Sequence, residues 1–391
     1  MASGLRLLVG VVWLLIIAQL RSCDGNDNFV PPTLLADAVP KRAVCIDGSP
    51  SGYHHARGFG DGVNNWILYL MGGGWCSDNS TCQERRNGPY GSTTTIQPRK
   101  FNGLLSSNQD INPDFYNWNI VFVYYCDGSS FLGDIDLVNF GPDLQFRGSR
   151  IFDAVIDELL AKGMKAAENV LFGGRSAGGL ATILHCDRFR ARLPNVNKIK
   201  CLSDSGFFIR AKNVANAEYR EWIFSSIINF HNLTNLLPKS CTSRMNPGLC
   251  FFAEYLVRDI QTPLFLLNSA FDLAEIQVFL KPNNSGDLKG WKNCIDNLTE
   301  CTNAHKELIH DFGNAFRETL MSIGDDNPSR GLFINSCYIH VFSERNELWN
   351  SIGSPRLGNK TISEAVGDWF FDRSSVKLID THTNFPFNCP M

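Results

Sequence analysis

The apolar run Asn169-Val170-Leu171-Phe172-Gly173 leads into Gly174-Arg175-Ser176-Ala177-Gly178, and a helix-compatible stretch, Leu180 to Arg190, follows at once. No other feature limits the architecture of this chain as much. A short apolar run reads as a buried strand. A G-x-S-x-G turn between a strand and a helix is a nucleophile elbow, in which the serine hydroxyl stands exposed on a strained backbone. Glycines two residues to either side of Ser176 allow strand and helix to approach without Cβ clashes. A Gly/Ser-rich surface turn is the plain alternative for the pentapeptide alone, and the flanking elements argue against it.

Upstream, Gly72-Gly73-Gly74-Trp75 follows Trp66-Ile67-Leu68-Tyr69-Leu70-Met71, another strand-like run. A glycine-rich turn after an early strand is where lipases and esterases place oxyanion N–H groups, each worth roughly 3–4 kcal/mol to a tetrahedral transition state. The expected donors are Gly74, Trp75 and Ala177, the last being the residue after the nucleophile. Strand-like runs recur at 66–71, 119–126, 168–173, 199–203, 263–268 and 331–339. Phe146 to Gly163 and His305 to Ile323 have apolar residues every three to four positions, the pattern of amphipathic helices. Strands alternating with helices predict an α/β chain with a mostly parallel sheet covered on both faces, here the α/β-hydrolase fold. One catalytic domain is expected over 25–391, with cap-like insertions around 207–260 and 276–303.

The compartment follows from the N-terminus and the cysteines. Arg6 precedes a mostly apolar run, Leu7 to Leu20, too short for a membrane span and suited to a signal peptide over 1–24. An uncleaved anchor is the alternative. Thirteen cysteines fit an oxidising compartment. Proximity in sequence favours Cys76–Cys82 and Cys186–Cys201. Cys45–Cys126 and Cys337–Cys389 are further pairs, and Cys241, Cys250, Cys294 and Cys301 pair among themselves. The chain has no C-x2-C, so structural zinc is not expected. Sequons begin at Asn79, Asn232, Asn283, Asn297 and Asn359, which also suits secretion. A net charge of −3 gives no electrostatic reason to expect nucleic acid.

A neutral serine needs a base, and the base needs an orienting carboxylate. In this fold the chain order is Ser, then Asp or Glu, then His. His305 and His310 fall on the long helical stretch, and His231 lies beside a sequon. His340 comes directly after the strand-like run Leu332 to Ile339, where ligands gather at strand C-termini. His382 is the runner-up. For the acid, Asp272 closes the run Pro263 to Phe271, while Asp204, in Leu202-Ser203-Asp204-Ser205-Gly206, competes with it. Helix capping or turn bonding is the structural alternative for each. Arg175 beside the nucleophile could pair with an anionic substrate or with a nearby acid.

Several further stretches are informative: Ala43-Val44-Cys45-Ile46-Asp47-Gly48-Ser49-Pro50, Gly52-Tyr53-His54, Gly72-Gly73-Gly74-Trp75-Cys76 and Tyr125-Cys126-Asp127-Gly128-Ser129-Ser130-Phe131. To these add Phe146-Arg147-Gly148, Ala161-Lys162-Gly163-Met164, Gly174 through Gly179 and Ser203-Asp204-Ser205-Gly206-Phe207-Phe208. On them, from about Val30 to Cys389, the chain resembles the plant pectin acetylesterases, a group related to the animal Notum carboxylesterases. The resemblance implies a secreted cell-wall serine esterase with Ser176, Asp272 and His340 at the triad positions, acting on acetylated galacturonate of pectin. No cofactor, no metal and no nucleic-acid or, after signal cleavage, membrane partner is expected, and a monomer is expected. The chain departs from the usual pattern at Met71, where glutamate is common, at Arg175, at Val341-Phe342 and at Leu273. Two alternatives follow: an esterase on another acyl substrate, such as a lipid-modified protein or acetylated xylan, or a non-catalytic glycan-binding relative.

Overall fold

A computed structural model describes residues 29–135, 144–280, 288–324 and 327–381. The expected signal peptide, Asn283, His382 and Cys389 lie outside the described residues. The strands are β1 Phe29–Val30, β2 Pro32–Leu34, β3 Gly52–Ala56, β4 Asn65–Leu70, β5 Arg99–Lys100, β6 Asn119–Val123, β7 Asn169–Arg175, β8 Lys198–Asp204, β9 Leu264–Ser269, β10 Gly331–Asn335 and β11 Lys377–Ile379. The principal helices are α1 Asn79–Arg86, α2 Gly148–Ala161, α3 Ala177–Ala191, α4 Ala217–Phe230, α5 Leu273–Phe279, α6 Leu288–Asp296, α7 Asn303–Gly324 and α8 Ile362–Phe370.

Among the described residues, nine strands form one sheet in the order β11-β10-β9-β8-β7-β4-β6-β3-β2. From β11 through β6 all neighbours run parallel, and β3 and β2 close one edge antiparallel. Every residue of β6, β9 and β10 is buried. Successive strand side chains point to opposite faces, so these strands are covered on both sides, as a parallel sheet requires. The expected mostly parallel α/β architecture is therefore present.

Local chemistry sets the element ends. Apolar spacing predicts a helix over 146–163, and α2 spans Gly148–Ala161. Phe146 bridges Ile135 instead, and Gly163, at φ +116°, takes the left-handed position that stops the helix. Its inward face is Ile151, Val155, Ile156 and Leu159, all buried. Ile309, Phe312, Phe316 and Leu320 do the same for α7.

The expected strand at 331–339 stops at Asn335. The Asn335 carboxamide oxygen accepts the Cys337 N–H at 3.0 Å, and Ser336 Oγ donates to Asp380 at 2.8 Å, so the chain turns out of the sheet. His340 therefore stands on a loop rather than directly after a strand.

Disulfides join Cys45–Cys126, Cys76–Cys82 and Cys186–Cys201, as expected, and Cys241–Cys250 and Cys294–Cys301 resolve the remaining set. Cys337 is also disulfide-bonded, and its expected partner Cys389 is outside the described residues. The first two of these bridges matter for the site, because they fix the chain where it leaves the sheet after β6 and β4. No helix among the described residues is long and apolar enough to cross a membrane.

Candidate active site

Strand β7 ends at Arg175, and α3 begins at Ala177. Between them Ser176 takes φ 55° and ψ −127°, a conformation foreign to both elements. A non-glycine residue held there costs about 1–3 kcal/mol and persists only where its surroundings over-determine it. Its N–H donates to the Asp204 carbonyl at 2.8 Å, and its carbonyl accepts from Leu180 N–H at 3.0 Å. The neighbouring glycines are needed for space. A Cβ on Gly174 would stand 2.4 Å from the Gly178 carbonyl oxygen, and one on Gly178 would stand 2.3 Å from that of Leu70. A Cβ on Gly72 would meet the Arg175 carbonyl at 2.2 Å and Ser176 Cβ at 2.7 Å. The ends of β4 and β7 and the first turn of α3 are thus packed backbone to backbone. Ser176 is 9% exposed at their junction.

The loop after β4 passes beside this junction. Gly74 has φ +67°, open to glycine at little cost. Among the described residues, the backbone N–H groups of Gly74, Trp75 and Ala177 have no protein acceptor. Trp75 Nε1 donates to Ser130 Oγ at 2.7 Å, and Ser130 Oγ donates to the Ala177 carbonyl at 2.8 Å. One hydroxyl thus ties the loop to the start of α3. The Trp75 ring packs edge-on against Phe208, Phe224 and Phe251 at 5.1, 5.3 and 5.8 Å. Nothing about Ser130 marked it out in sequence beyond its place in the Tyr125–Phe131 stretch, because the contacts join residues 47 and 55 positions apart.

His340 Nδ1 lies 2.8 and 3.0 Å from the two carboxylate oxygens of Asp272. Asp272 is 1% exposed and is also the N-cap of α5, where its Oδ1 accepts the N–H groups of Ala274 and Glu275. The capping role and the histidine contact coexist on one carboxylate. Its two oxygens offer about four acceptor sites, enough for both. Burial pushes the nearby Glu275 carboxyl well up, and the charge of Asp272 adds to that. Asp272, not Glu275, is the carboxylate in contact with the imidazole.

Burial pulls the His340 imidazolium down, but the charge and hydrogen bond of Asp272, with Asp204 adding, outweigh it and raise the pKa above the ordinary value. A base must be neutral to accept a proton. The acid limb of kcat/KM on a small acetyl ester is therefore expected to have its midpoint above about 6.5. A pH profile of wild type beside Asp272→Asn checks this. The midpoint should fall in the variant, and an unmoved limb would show that Asp272 does not set it.

Asp204, the competing acid, has a different task. Its carboxylate accepts from the N–H groups of Phe342 and Ser343 at 3.0 and 2.8 Å and from Ser343 Oγ at 2.6 Å. Ser205 Oγ donates to it at 3.0 Å and accepts Val341 N–H, also at 3.0 Å. Ser205 and Val341 both have positive φ, 50° and 73°. Such a φ in a β-branched residue is a true outlier, and Val341 is the residue after His340. The Arg175 guanidinium pairs with Glu344 at 2.5 Å, and Arg99 reaches the same carboxylate. Arg175 is thus engaged by an acid of this chain, one that sequence reasoning had not singled out. The serine elbow and the His340 loop are joined twice, through Asp204 and through Arg175–Glu344.

The other histidines are occupied elsewhere. His231 is buried, with Nε2 2.8 Å from the Cys76 carbonyl, and burial pulls its pKa down to about 4. His305 packs edge-on against Trp291, and His310 bonds Asn314. Cys76, Cys82 and His231 lie close enough together to hold a metal ion. The two sulfurs are joined in a disulfide, however, which leaves no thiolate to bind one. A cleft of about 520 Å³ lined by Arg190, Lys198, Lys200 and Asp372 opens where β8 begins, at the opposite end of that strand from Asp204.

The profile of the Pectinacetylesterase family matches residues 23–390. Pectin acetylesterase 7 of Arabidopsis thaliana is 45% identical over 94% of this chain and 93% of its own length. Pectin acetylesterase 11 of the same plant is 43% identical over 92% and 93%. A palmitoleoyl-protein carboxylesterase, NOTUM of Schmidtea mediterranea, is 29% identical over 80% of this chain and 58% of its own. The crystal structure of the Wnt deacylase Notum from Drosophila superposes with a TM-score of 0.76 at 24% identity, covering 93% of this chain and 100% of that one. That likeness bears on the fold.

Proposed function

Because this chain belongs to the pectinacetylesterase family and is a carboxylic ester hydrolase, we propose that it releases acetate from pectin through an acyl-enzyme on Ser176. His340 takes the hydroxyl proton as Ser176 attacks the acetyl carbonyl. The N–H groups of Gly74, Trp75 and Ala177 receive the oxyanion. The sugar hydroxyl leaves with the proton from His340, and water repeats the cycle on the acetyl-enzyme. Asp272 holds the imidazole with Nδ1 protonated, so that Nε2 is free to act as base. The observation that carries this reading is the 2.8 Å contact between His340 Nδ1 and a buried carboxylate, on a loop tied to the serine elbow.

The acetyl group is the acyl substrate favoured here, over the long chain that the NOTUM relative's name implies for that protein. The Trp75 ring touches those of Phe208, Phe224 and Phe251, Phe224 also touches the other two, and the three phenylalanines are buried. A close-packed aromatic cluster beside an oxyanion residue leaves little room for a long alkyl chain. The apolar leader run, the disulfides and the sequons support action outside the cell, on the wall polysaccharide.

The test measures acetate from acetylated pectin together with an acyl-length series of aryl esters. Activity should be highest on acetyl and at least about tenfold lower on octanoyl, the discrimination expected where extra methylenes do not fit. A preference for octanoyl, or no acetate from pectin despite fluorophosphonate labelling of Ser176, would overturn the substrate reading.

A further inference from the structure

The oxyanion donors of the β4 loop belong to two consecutive peptide groups. The Gly74 N–H shares its amide with the Gly73 carbonyl, and the Trp75 N–H shares its amide with the Gly74 carbonyl. Each of these carbonyls is gripped by a side chain. Arg85 Nη2 donates to the Gly73 oxygen, and the Tyr125 hydroxyl donates to the Gly74 oxygen at 2.8 Å. We propose that Arg85 and Tyr125 are positioning residues that aim and polarise the two oxyanion amides, an inference that rests on the acyl-enzyme reading above.

The physical basis is the resonance of the peptide bond. Density drawn toward the carbonyl oxygen by a hydrogen bond comes in part from nitrogen, and the N–H becomes a stronger donor. Linked hydrogen bonds strengthen one another by roughly 10–30% per bond in condensed phase, a range a conjugated amide can transmit. A charged donor does more than a neutral one. In a trans peptide the C=O and N–H point in opposite directions, so a clamp on the oxygen also fixes where the N–H is aimed. Neither side chain needs to touch the substrate for this.

The surroundings of Arg85 are those of a charge kept for this use. Its Nη1 is buried without an acceptor among the described residues, and the buried Asp127 carboxylate feels the guanidinium charge without being hydrogen-bonded to it. Its Nη2 would lie 3.3 Å from a Cβ at Gly74, which places the charge against the oxyanion loop itself. The guanidinium also stands over the Tyr90 ring, 5.5 Å from its centroid. The helix that carries it is anchored at its start. The Cys76–Cys82 disulfide bridges loop and helix, and Asp78 and Thr81 form a reciprocal capping box, with Thr81 N–H donating to Asp78 at 2.8 Å. Tyr125 is fixed in turn. Its oxygen accepts Ser130 N–H at 3.0 Å, and the Ser130 hydroxyl joins Trp75 to Ala177. A single network thus runs from Arg85 through both loop amides to the residue after the nucleophile.

The test uses Arg85→Gln, Arg85→Lys and Tyr125→Phe in the full chain, on a small acetyl ester that carries no carboxylate. Deleting an oxyanion donor outright costs about 10²–10³ in kcat, and weakening one should cost about tenfold. Arg85→Gln is expected to lose about tenfold in kcat with KM within about twofold and the acid limb of the pH profile unmoved. Arg85→Lys should recover most of the loss. The Ki of a boronate that forms a tetrahedral adduct on the serine should weaken by the same factor as kcat. A fixed kcat in Arg85→Gln, or a raised KM without loss of kcat, overturns the proposal, and the latter would make Arg85 a substrate-binding group. Arg85 is partly exposed on a surface helix, so its variants keep the test open should Tyr125→Phe misfold. Full activity in Ser176→Ala would instead overturn the acyl-enzyme reading beneath it.

Discussion

Ser176→Ala is expected to lower kcat on acetyl esters by about 10⁶-fold while the protein melts within about two degrees of wild type. In the proposed mechanism the loss is large because the hydroxyl oxygen forms the new bond, and an alanine methyl would leave His340 with no proton to take. Residual turnover of about 10³–10⁴ over water is expected from the amides and from binding alone. Stability should hardly move, since the serine side chain does not cap α3 and its anchoring runs through the backbone. Acetate release and thermal melting together check this. A variant that keeps even about a hundredth of wild-type turnover would mean that another group performs the attack.

Asp272→Asn is expected to cost about 10⁴-fold in kcat, as loss of the correct imidazole tautomer does in comparable triads. The amide NH₂ would face His340 Nδ1, move the proton to Nε2 and leave no lone pair toward the serine. The same substitution keeps a carboxamide oxygen for the N–H groups of Ala274 and Glu275, and asparagine is as good an N-cap as aspartate. Activity should therefore collapse with little loss of melting temperature. Asp204→Asn gives the contrast. Its oxygens hold the loop through Phe342 and Ser343 rather than touching the imidazole, so lost stability should accompany lost rate. If the Asp204 variant has the greater defect in rate and an unchanged melting point, the two assignments are exchanged.

Much of this arrangement was legible in the chain because it depends on local rules. A serine between two glycines after an apolar run can do little else when a helix follows, and the glycine spacing reflects real backbone contact at Gly174 and Gly178. The cysteine pairs close in sequence were readable for a similar reason: short loops leave few partners. The end of β10 was not readable. Apolar residues continue through Ile339, and the turn depends on the Asn335 side chain folding back to accept the Cys337 N–H.

The long-range polar contacts were less visible still. Arg175 stood out as unusual, but its partner Glu344 lies far along the chain, and contacts at such separations have no sequence period. Ser130 and Arg85 were hidden for the same reason. Each acts through a backbone carbonyl, which every residue possesses, so the identity of the partner gives no clue.

Asp204 holds Ser176 by its main chain and the His340 loop by its side chain. The serine elbow and the His340 loop therefore share a mount at the tip of β8. A disturbance there cannot tilt one and spare the other, and compensating changes in either half would not restore the alignment. Changes to surfaces remote from that mount leave both attachments in place.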